Sequence, residues 1–341
     1  MHDPLQPLRV MTVNMQFYAS FPTDPQKGKQ ILQERFGQTH RPDVICMQEG
    51  LTGMEVLKDL GYELVICAGT QGVAQSVDEM MYHDQEALQL CRKDQSHKLL
   101  CNQMYISKDS QWKVKDCGVE KISSALELDG GGGRKTGKLA VRSMCWLMLG
   151  KTDSSKPAVC VMCTHLSGGR FEDQYFVQQL AKERYSQIER CIDFFHKTQI
   201  RKHDDCVGIL VGDFNATEAY AVDGPMNAYF KYAIRTSEGV WWDAKKNAVE
   251  TEEALEVKFK RYMVSPFTAL QDYGWPLVYD EETIGATSVF GHLIDYMAVS
   301  RRVVIDGARR VILTNQKVEG KPTDTGKPIT DHNAVIATFR F

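Results

Sequence analysis

Short apolar runs rich in Val, Ile, Leu and Met recur along the chain. They occupy Leu8 to Val13, Val44 to Met47, Tyr62 to Cys67, Gln103 to Ser107, Ala140 to Leu149, Ala158 to Thr164, Val207 to Val211, Leu293 to Val299, Val303 to Leu313 and Ala334 to Phe341. Each has the length of a strand and is bounded by Gly, Pro, Asp or Asn, which end regular structure. Their apolar positions are consecutive rather than alternate, so both faces of these strands are expected to be covered. Between them, "EDQYFVQQLAKERYSQIERCIDFFHKTQI" places Phe176, Leu180, Tyr185, Ile188 and Ile192 at spacings near three and four, which predicts a helix. A second helical period lies around "VETEEALEVKFKRYM". Strands covered on both faces, together with helices, predict an α/β sandwich. "DGGGGRKTGK", Asp129 to Lys138, reads as a flexible loop, and Asp213 to Asp272 as a long stretch with a helix and few strand signals. No linker or repeat interrupts the pattern, so a single domain over residues 8–341 is expected.

Composition narrows the function classes. With 341 residues, 43% of them hydrophobic, the chain can bury a substantial core. The 41 basic and 44 acidic residues leave a formal charge of −3, so no global basic field draws it to nucleic acid or acidic membrane. Any polyanion contact must be local. The N-terminal "MHDPLQPLRVMTVNMQF" lacks a basic region followed by a long apolar one, and no segment approaches the roughly 20 apolar residues of a membrane span. A soluble, intracellular protein is expected. Several cysteines lie inside apolar runs (Cys46, Cys160, Cys163), and "CVMC" turns its two thiols to opposite faces of a strand rather than pairing with histidines around zinc. Reduced thiols are expected.

The candidate chemistry sits where the strands stop. "LRVMTVN" ends at Asn14, "DVICMQE" at Glu49, "VCVMCTH" at His165 and "GILVGDFN" at Asp213 and Asn215; "GHLIDYM" contains Asp295, and "PITDHNAVIATF" opens with Asp331 and His332. One polar strand end is ordinary, but several in one chain need a common cause. Hard divalent cations such as Mg²⁺ or Mn²⁺ take oxygen ligands and usually only one or two protein carboxylates, keeping waters and substrate phosphate oxygens. Glu49, Asn14 and Asp331 supply such oxygens. Histidines beside carboxylates donate to phosphoryl oxygens or move protons, a second carboxylate fixing the ring, and His165 and His332 suit this. Asp295 lies between apolar neighbours, where an unpaired charge costs several kcal/mol. It needs a partner, and His332 is the obvious one.

In order along the chain, "TVN" at 12–14, "MQE" at 47–49, "THL" at 164–166, "GDFN" at 212–215, "IDY" at 294–296 and "TDH" at 330–332 resemble the endonuclease/exonuclease/phosphatase superfamily, whose fold is that of DNase I. The resemblance implies a four-layered α/β sandwich, two packed and mainly antiparallel sheets flanked by helices, with metal-dependent phosphoester hydrolysis at the sheet edges. It implies that Glu49 is the principal ligand of Mg²⁺ or Mn²⁺, with Asn14 and Asp331 nearby. Asp213 and Asn215 would orient or deprotonate the attacking water and hold the phosphate. His165 would stabilise phosphoryl charge, and His332, oriented by Asp295, would complete the site. The general base stays open between Asp213 and His332; Asp213 is preferred because His332 is occupied with Asp295.

Other residues have blander readings. His2, His40, His83, His97, His196 and His203 lie outside any motif and read as surface residues, and His292 faces away from Asp295 on its strand. Arg142 in "AVRSMCW" either binds substrate phosphate or ends a strand pleat. Arg170 follows Gly168 and Gly169, five residues after His165, and is expected to contact a substrate phosphate with its planar donor fork.

The substrate is less legible. The "WCDR"-like signature of inositol phosphatases is absent, since "SVFGHL" precedes "IDY". Lys and Arg in "GGGGRKTGK", "RRVVIDGARR" and "KVEGKPTDTGK" favour nucleic acid, and hence a phosphodiesterase or nuclease. Sphingomyelinase-like action on a phospholipid is the rival, with Trp241, Trp242, Tyr273 and Trp275 as candidate stacking or gripping aromatics and Trp275 read as packing. A binding protein that kept the fold without the chemistry is the alternative of another class. No obligate protein partner is evident.

Overall fold

The computed structural model describes residues 7–16, 25–36, 41–51, 56–69, 100–124, 126–129, 136–139, 141–151, 159–168, 174–200, 203, 205–218, 257, 260–288, 292–300, 303–313, 317–318, 321–322 and 330–341. Strand β1 (Leu8–Asn14) is followed by helix α1 (Pro25–Phe36), then β2 (Val44–Leu51), β3 (Tyr62–Gly69) and β4 (Leu100–Ser107). Next come β5 (Trp112–Lys121), β6 (Leu126–Asp129), β7 (Thr136–Leu139), β8 (Ser143–Lys151) and β9 (Val159–His165), then helix α2 (Gln174–Phe194) and β10 (Val207–Asp213). Helices α3 (Ser265–Asp272) and α4 (Glu281–Ile284) precede β11 (Asp295–Val299), β12 (Val304–Val311), β13 (Lys317–Val318), β14 (Lys321–Pro322) and β15 (Ala334–Arg340).

The strands form two large mixed sheets, ordered β12-β15-β1-β2-β4-β3 and β11-β10-β9-β8-β5. Both are mainly antiparallel, and each holds one parallel pair, β1 with β2 and β9 with β10. Alternation along β1 shows how the layers arise. Leu8 and Val10 enter the core shared with the second sheet, while Met11 and Val13 join Leu32 of α1 in a separate cluster on the outer face. On the other side, Ile188, Cys191 and Ile192 of α2 and Phe267 and Leu270 of α3 pack on the second sheet. The expected α/β sandwich is therefore present, with helices outside both sheets.

The parallel pairs decide where the site must be. Parallel strands end at the same sheet edge, whereas an antiparallel neighbour begins where they stop. Hence β1, β2, β9 and β10 run out where β11 and β15 start, and the polar residues at these strand termini converge although they come from opposite ends of the chain. Asp213 pairs in register with His165 on one side and Asp295 on the other.

Gly212 is required by this pairing. Its φ is +150°, and a Cβ would lie 1.8 Å from the Thr164 carbonyl oxygen of the adjacent β9. Because backbone rather than a flexible side chain occupies the space, Gly212→Ala is expected to cost about 3 kcal/mol or more, read by denaturant unfolding. A loss below about 1 kcal/mol, the common size for a point substitution, would contradict this account.

Several expectations need correction. The stretch Asp129 to Lys138 is not all loop: its ends pair as β6 and β7, with Asp129 opposite Thr136 and Leu139 buried opposite Leu126. The strand expected from Ala140 begins at Ser143, because the Arg142 carbonyl accepts the backbone N–H groups of Ile122 and Ser123 instead of joining the ladder. β5 went unpredicted; as a sheet edge it carries Lys113, Lys115, Asp116 and Glu120 among its apolar residues. Of the second helical period, residues 260–263 are helical, and most of the rest lies outside the described residues. No disulfide joins the nine described cysteines, and burial raises the thiols of Cys46, Cys145 and Cys160. Among the described residues no helix is long and apolar enough to cross a membrane.

Candidate active site

Asn14, Glu49, His165, Asp213, Asn215, Asp295, Asp331 and His332 all lie at or beside the shared sheet edge. Asn14, the last residue of β1, donates from Nδ2 to Asp213 Oδ2 at 2.9 Å, while its Oδ1 accepts the Gln16 backbone N–H at 2.9 Å. This bond joins the two sheets through the site. Thr330 ties the same corner from behind, its hydroxyl donating to the Asn14 carbonyl at 2.7 Å.

Glu49 owes its place to a local irregularity. The β2–β4 register shifts between Met47 and Gly50, and Glu49 has φ +49°, unusual for a side chain with a full Cβ. The bulge turns the carboxylate to 3.7 Å from His165 Nε2. Asn215 also has φ +49°, a conformation Asn tolerates better than most residues. Its backbone N–H donates to Asp213 Oδ1 at 2.7 Å and its Nδ2 to the Leu166 carbonyl at 3.0 Å.

The two histidines differ in charge. Arg142 Nη1 stands 3.1 Å from His165 Nδ1, and because a guanidinium can only donate, that nitrogen accepts. The proton of the neutral ring therefore sits on Nε2, which is 3.7 Å from Glu49 Oε1 and 3.7 Å from Asp213 Oδ2. Burial, then the charges of Arg142 and His332, hold His165 well below the usual imidazole value, so it is neutral at pH 7. For His332 burial also opposes charge, but the charge and hydrogen bond of Asp295, with Asp213 and Asp331, outweigh it and raise the ring to about 10. Its Nδ1 donates to Asp295 Oδ2 at 2.9 Å, the partnership that the buried Asp295 demanded. Nε2 is left 3.9 Å from Asp213 Oδ2 and 3.8 Å from Asp331 Oδ1.

The carboxylates shift the other way. Burial and the Asp213 charge push Glu49 up to about 7, against opposing effects of His332, Asn14 and Arg142. Burial and the Asp295 charge push Asp213 to about 6, opposed by His332 and by the Asn215 and Asn14 hydrogen bonds. The site thus concentrates negative charge that is only partly compensated. Asp295 Oδ1 and Asp331 Oδ1 are buried without a hydrogen-bond partner among the described residues. One compact group of candidate ligand atoms, within 4.8 Å of one another, belongs to Asp213, Asp295 and His332, although there the imidazole already bonds Asp295.

No family model and no curated protein sequence matches the chain. Solved structures do. An endonuclease/exonuclease/phosphatase from Bacteroides vulgatus is 15% identical with a TM-score of 0.51, covering 98% of this chain and 99% of that one. The chain has the endonuclease/exonuclease/phosphatase fold. The human Nocturnin catalytic domain with bound sulfate anion shares this fold at 14% identity and a TM-score of 0.51, covering 99% of this chain and 96% of that one. A Bacteroides thetaiotaomicron mannosyl-6-phosphatase does so at 13% identity and a TM-score of 0.52, covering 98% of this chain and all 100% of that one.

Within this endonuclease/exonuclease/phosphatase fold, Arg142 lies against His165 rather than merely ending a strand. Arg170, Trp241 and Trp242 lie outside the described residues. Trp275 packs edge-on against Phe195, as its buried reading required, and Tyr273 donates to Glu189 at the surface. His292 is buried just ahead of β11, its carbonyl accepting the backbone N–H groups of Thr287 and Ser288. Sequence reasoning missed Ser167, Arg184 and Gln187, which are buried behind His165. The available signal was two polar residues one turn apart on the buried face of α2.

Proposed function

We propose that the chain is a divalent-metal-dependent phosphoester hydrolase whose substrate is a nucleic-acid phosphodiester. The observation that carries this reading is two imidazoles facing one carboxylate, with His165 Nε2 at 3.7 Å and His332 Nε2 at 3.9 Å from Asp213 Oδ2, the first held neutral by burial and the second kept protonated by Asp295. A phosphoryl group needs positioning and neutralisation of spread negative charge, together with a base for water. This arrangement supplies both.

Glu49, Asn14 and Asp331 would hold Mg²⁺ or Mn²⁺. The fit rests on hard oxygen donors, on the raised Glu49 carboxyl whose repulsion a cation relieves, and on the buried, unbonded Asp331 Oδ1. When bound, the cation neutralises phosphoryl oxygens and makes water easier to deprotonate. Asp213, mostly ionised at pH 7 and held through both oxygens by the Asn215 N–H and the Asn14 amide, takes the water proton. The Nε2–H of His165 donates to a phosphoryl oxygen, and cationic His332, fixed by Asp295, adds positive charge from the other side. Because His332 is protonated until about pH 10, Asp213 is the better base.

For nucleic acid the support is local charge. β12 ends with Val311 opposite Ala334, just beyond His332; near this end Arg309 is exposed, while Arg310 donates to the Ala286 carbonyl at 2.6 Å. The mannosyl-6-phosphatase and the sulfate-bound Nocturnin domain agree with a site for phosphate-like groups. A parallel screen with Mg²⁺ of single- and double-stranded DNA, RNA with a poly(A) tail, sphingomyelin and inositol phosphates tests the substrate. Cleavage of a nucleic acid is expected. Turnover of sphingomyelin alone would replace it with the phospholipid reading, and turnover of none would overturn the reaction class.

A further inference from the structure

We propose that Arg184 and Gln187 of α2 are positioning residues that set the catalytic geometry through Ser167; the inference rests on the hydrolase reading above. Ser167 stands two residues beyond His165, where the chain leaves β9. A residue at such a strand exit usually bonds to water. Here every polar group of Ser167 is taken by α2. Its N–H donates to Gln187 Oε1 at 2.9 Å, Gln187 Nε2 donates to its hydroxyl at 2.7 Å, and Arg184 Nε donates to its carbonyl at 2.8 Å. The N–H contact also fixes which way the Gln187 amide points. Ser167, Arg184 and Gln187 are 1%, 0% and 0% exposed, so water does not compete.

The clamp bears on the chemistry because Ser167 is the middle of the wall against which Asn215 stands. On one side, the Leu166 carbonyl accepts the Asn215 side-chain amide, and the Leu166 N–H donates to the Asp213 carbonyl at 2.9 Å. On the other, Gly168 approaches so closely that a Cβ there would lie 2.3 Å from Asn215 Cγ. A shift of Ser167 therefore moves Asn215. A buried guanidinium is a poor way to gain stability compared with an apolar side chain of similar size, which leaves geometry as its use. Its helix is well anchored: Ile188, Cys191 and Ile192 follow directly in the core.

The test uses the full chain, Mg²⁺ and bis-p-nitrophenyl phosphate. Gln187→Met keeps the volume and removes both hydrogen bonds to Ser167, along with the longer one from Gln187 Nε2 to Glu183 Oε1 at 3.4 Å. It is expected to lower kcat by about 10- to 100-fold with KM changed less than about threefold, because a misplacement near 1 Å costs up to that much. Gln187→Glu keeps an acceptor for the Ser167 N–H and is expected to recover most of the loss. In an Asn215→Ala background, Gln187→Met should cost less than about twofold, since the group it positions is gone. A merely structural role would give equal losses in both backgrounds and overturn the proposal, as would wild-type kcat in Gln187→Met. A second readout needs no turnover: Gln187→Met should move the Asn215 side-chain amide signal in a proton–nitrogen correlation spectrum of the folded protein. An unmoved signal refutes the clamp, while an inactive wild type with a moved signal refutes only the hydrolase reading.

Discussion

Asp213→Asn is expected to lower kcat for phosphoester hydrolysis by about 10³- to 10⁴-fold, near the upper range for loss of a general base. The substitution preserves shape, and an asparagine oxygen can still accept the Asn215 N–H that Asp213 Oδ1 accepts at 2.7 Å. What disappears is the capacity to take a proton, together with the oxygen that accepts the Asn14 amide at 2.9 Å. A base works only when ionised, and burial with Asp295 raises Asp213 to about 6, so wild-type activity should fall as pH drops through that region. In Asp213→Asn the residual rate should lose this acid limb. His332→Ala provides the contrast: it removes a cation held until about pH 10, so the rate falls while the acid limb survives. A near-normal rate in Asp213→Asn, with the wild-type pH profile, would remove Asp213 from the role.

Glu49→Gln is expected to weaken Mg²⁺ binding by about 100-fold or more, because a charged oxygen ligand becomes a neutral one. The same change should stabilise the metal-free protein at neutral pH. Glu49 is raised from 4.5 to about 7, so the unfolded chain ionises first and the folded state holds the extra proton. Stability therefore falls as pH rises from about 4.5 to 7, in proportion to that difference in bound protons. The neutral amide of the Glu49→Gln variant carries no such linkage, and its backbone strain equals that of Glu at the same positive φ. Thermal unfolding with chelator should show matching Tm values near pH 4.5 and a higher Tm for the variant about one unit above the raised value of about 7. Parallel Tm curves would contradict the raised Glu49 carboxyl, and unchanged Mg²⁺ titrations its assignment as ligand.

The strand ends were legible because an apolar run that stops at Asn14, Glu49, His165 or Asp213 marks both an element boundary and a polar group. Asp295 was legible for an energetic reason: a charge among apolar neighbours needs a partner, and His332 meets it at 2.9 Å. What the sequence hid follows from packing. β5 carries charges because it is an edge, so it lacks the continuous apolar signal of the central strands. The reach of Arg142 to His165 depends on the irregular turn before β8, and the aim of Glu49 on a bulge, neither of which leaves a periodic trace. In α2 the apolar spacing predicted the helix correctly, yet Arg184 and Gln187 share its buried face with Leu180 and Ile188. Their partner, Ser167, lies 17 and 20 residues away in sequence, a separation that no helical period encodes.

Hydrolysis of phosphoesters at this sheet edge, with a divalent cation, is the activity we propose. Its most direct test is turnover of bis-p-nitrophenyl phosphate by the purified chain with Mg²⁺, after EDTA, after Mg²⁺ is restored, and in His165→Ala. EDTA is expected to abolish turnover and Mg²⁺ to restore it, with a loss of about 100-fold or more in His165→Ala, the usual consequence of removing one donor to a developing oxyanion. Turnover indifferent to EDTA and to His165→Ala, or none on any phosphoester, would contradict it.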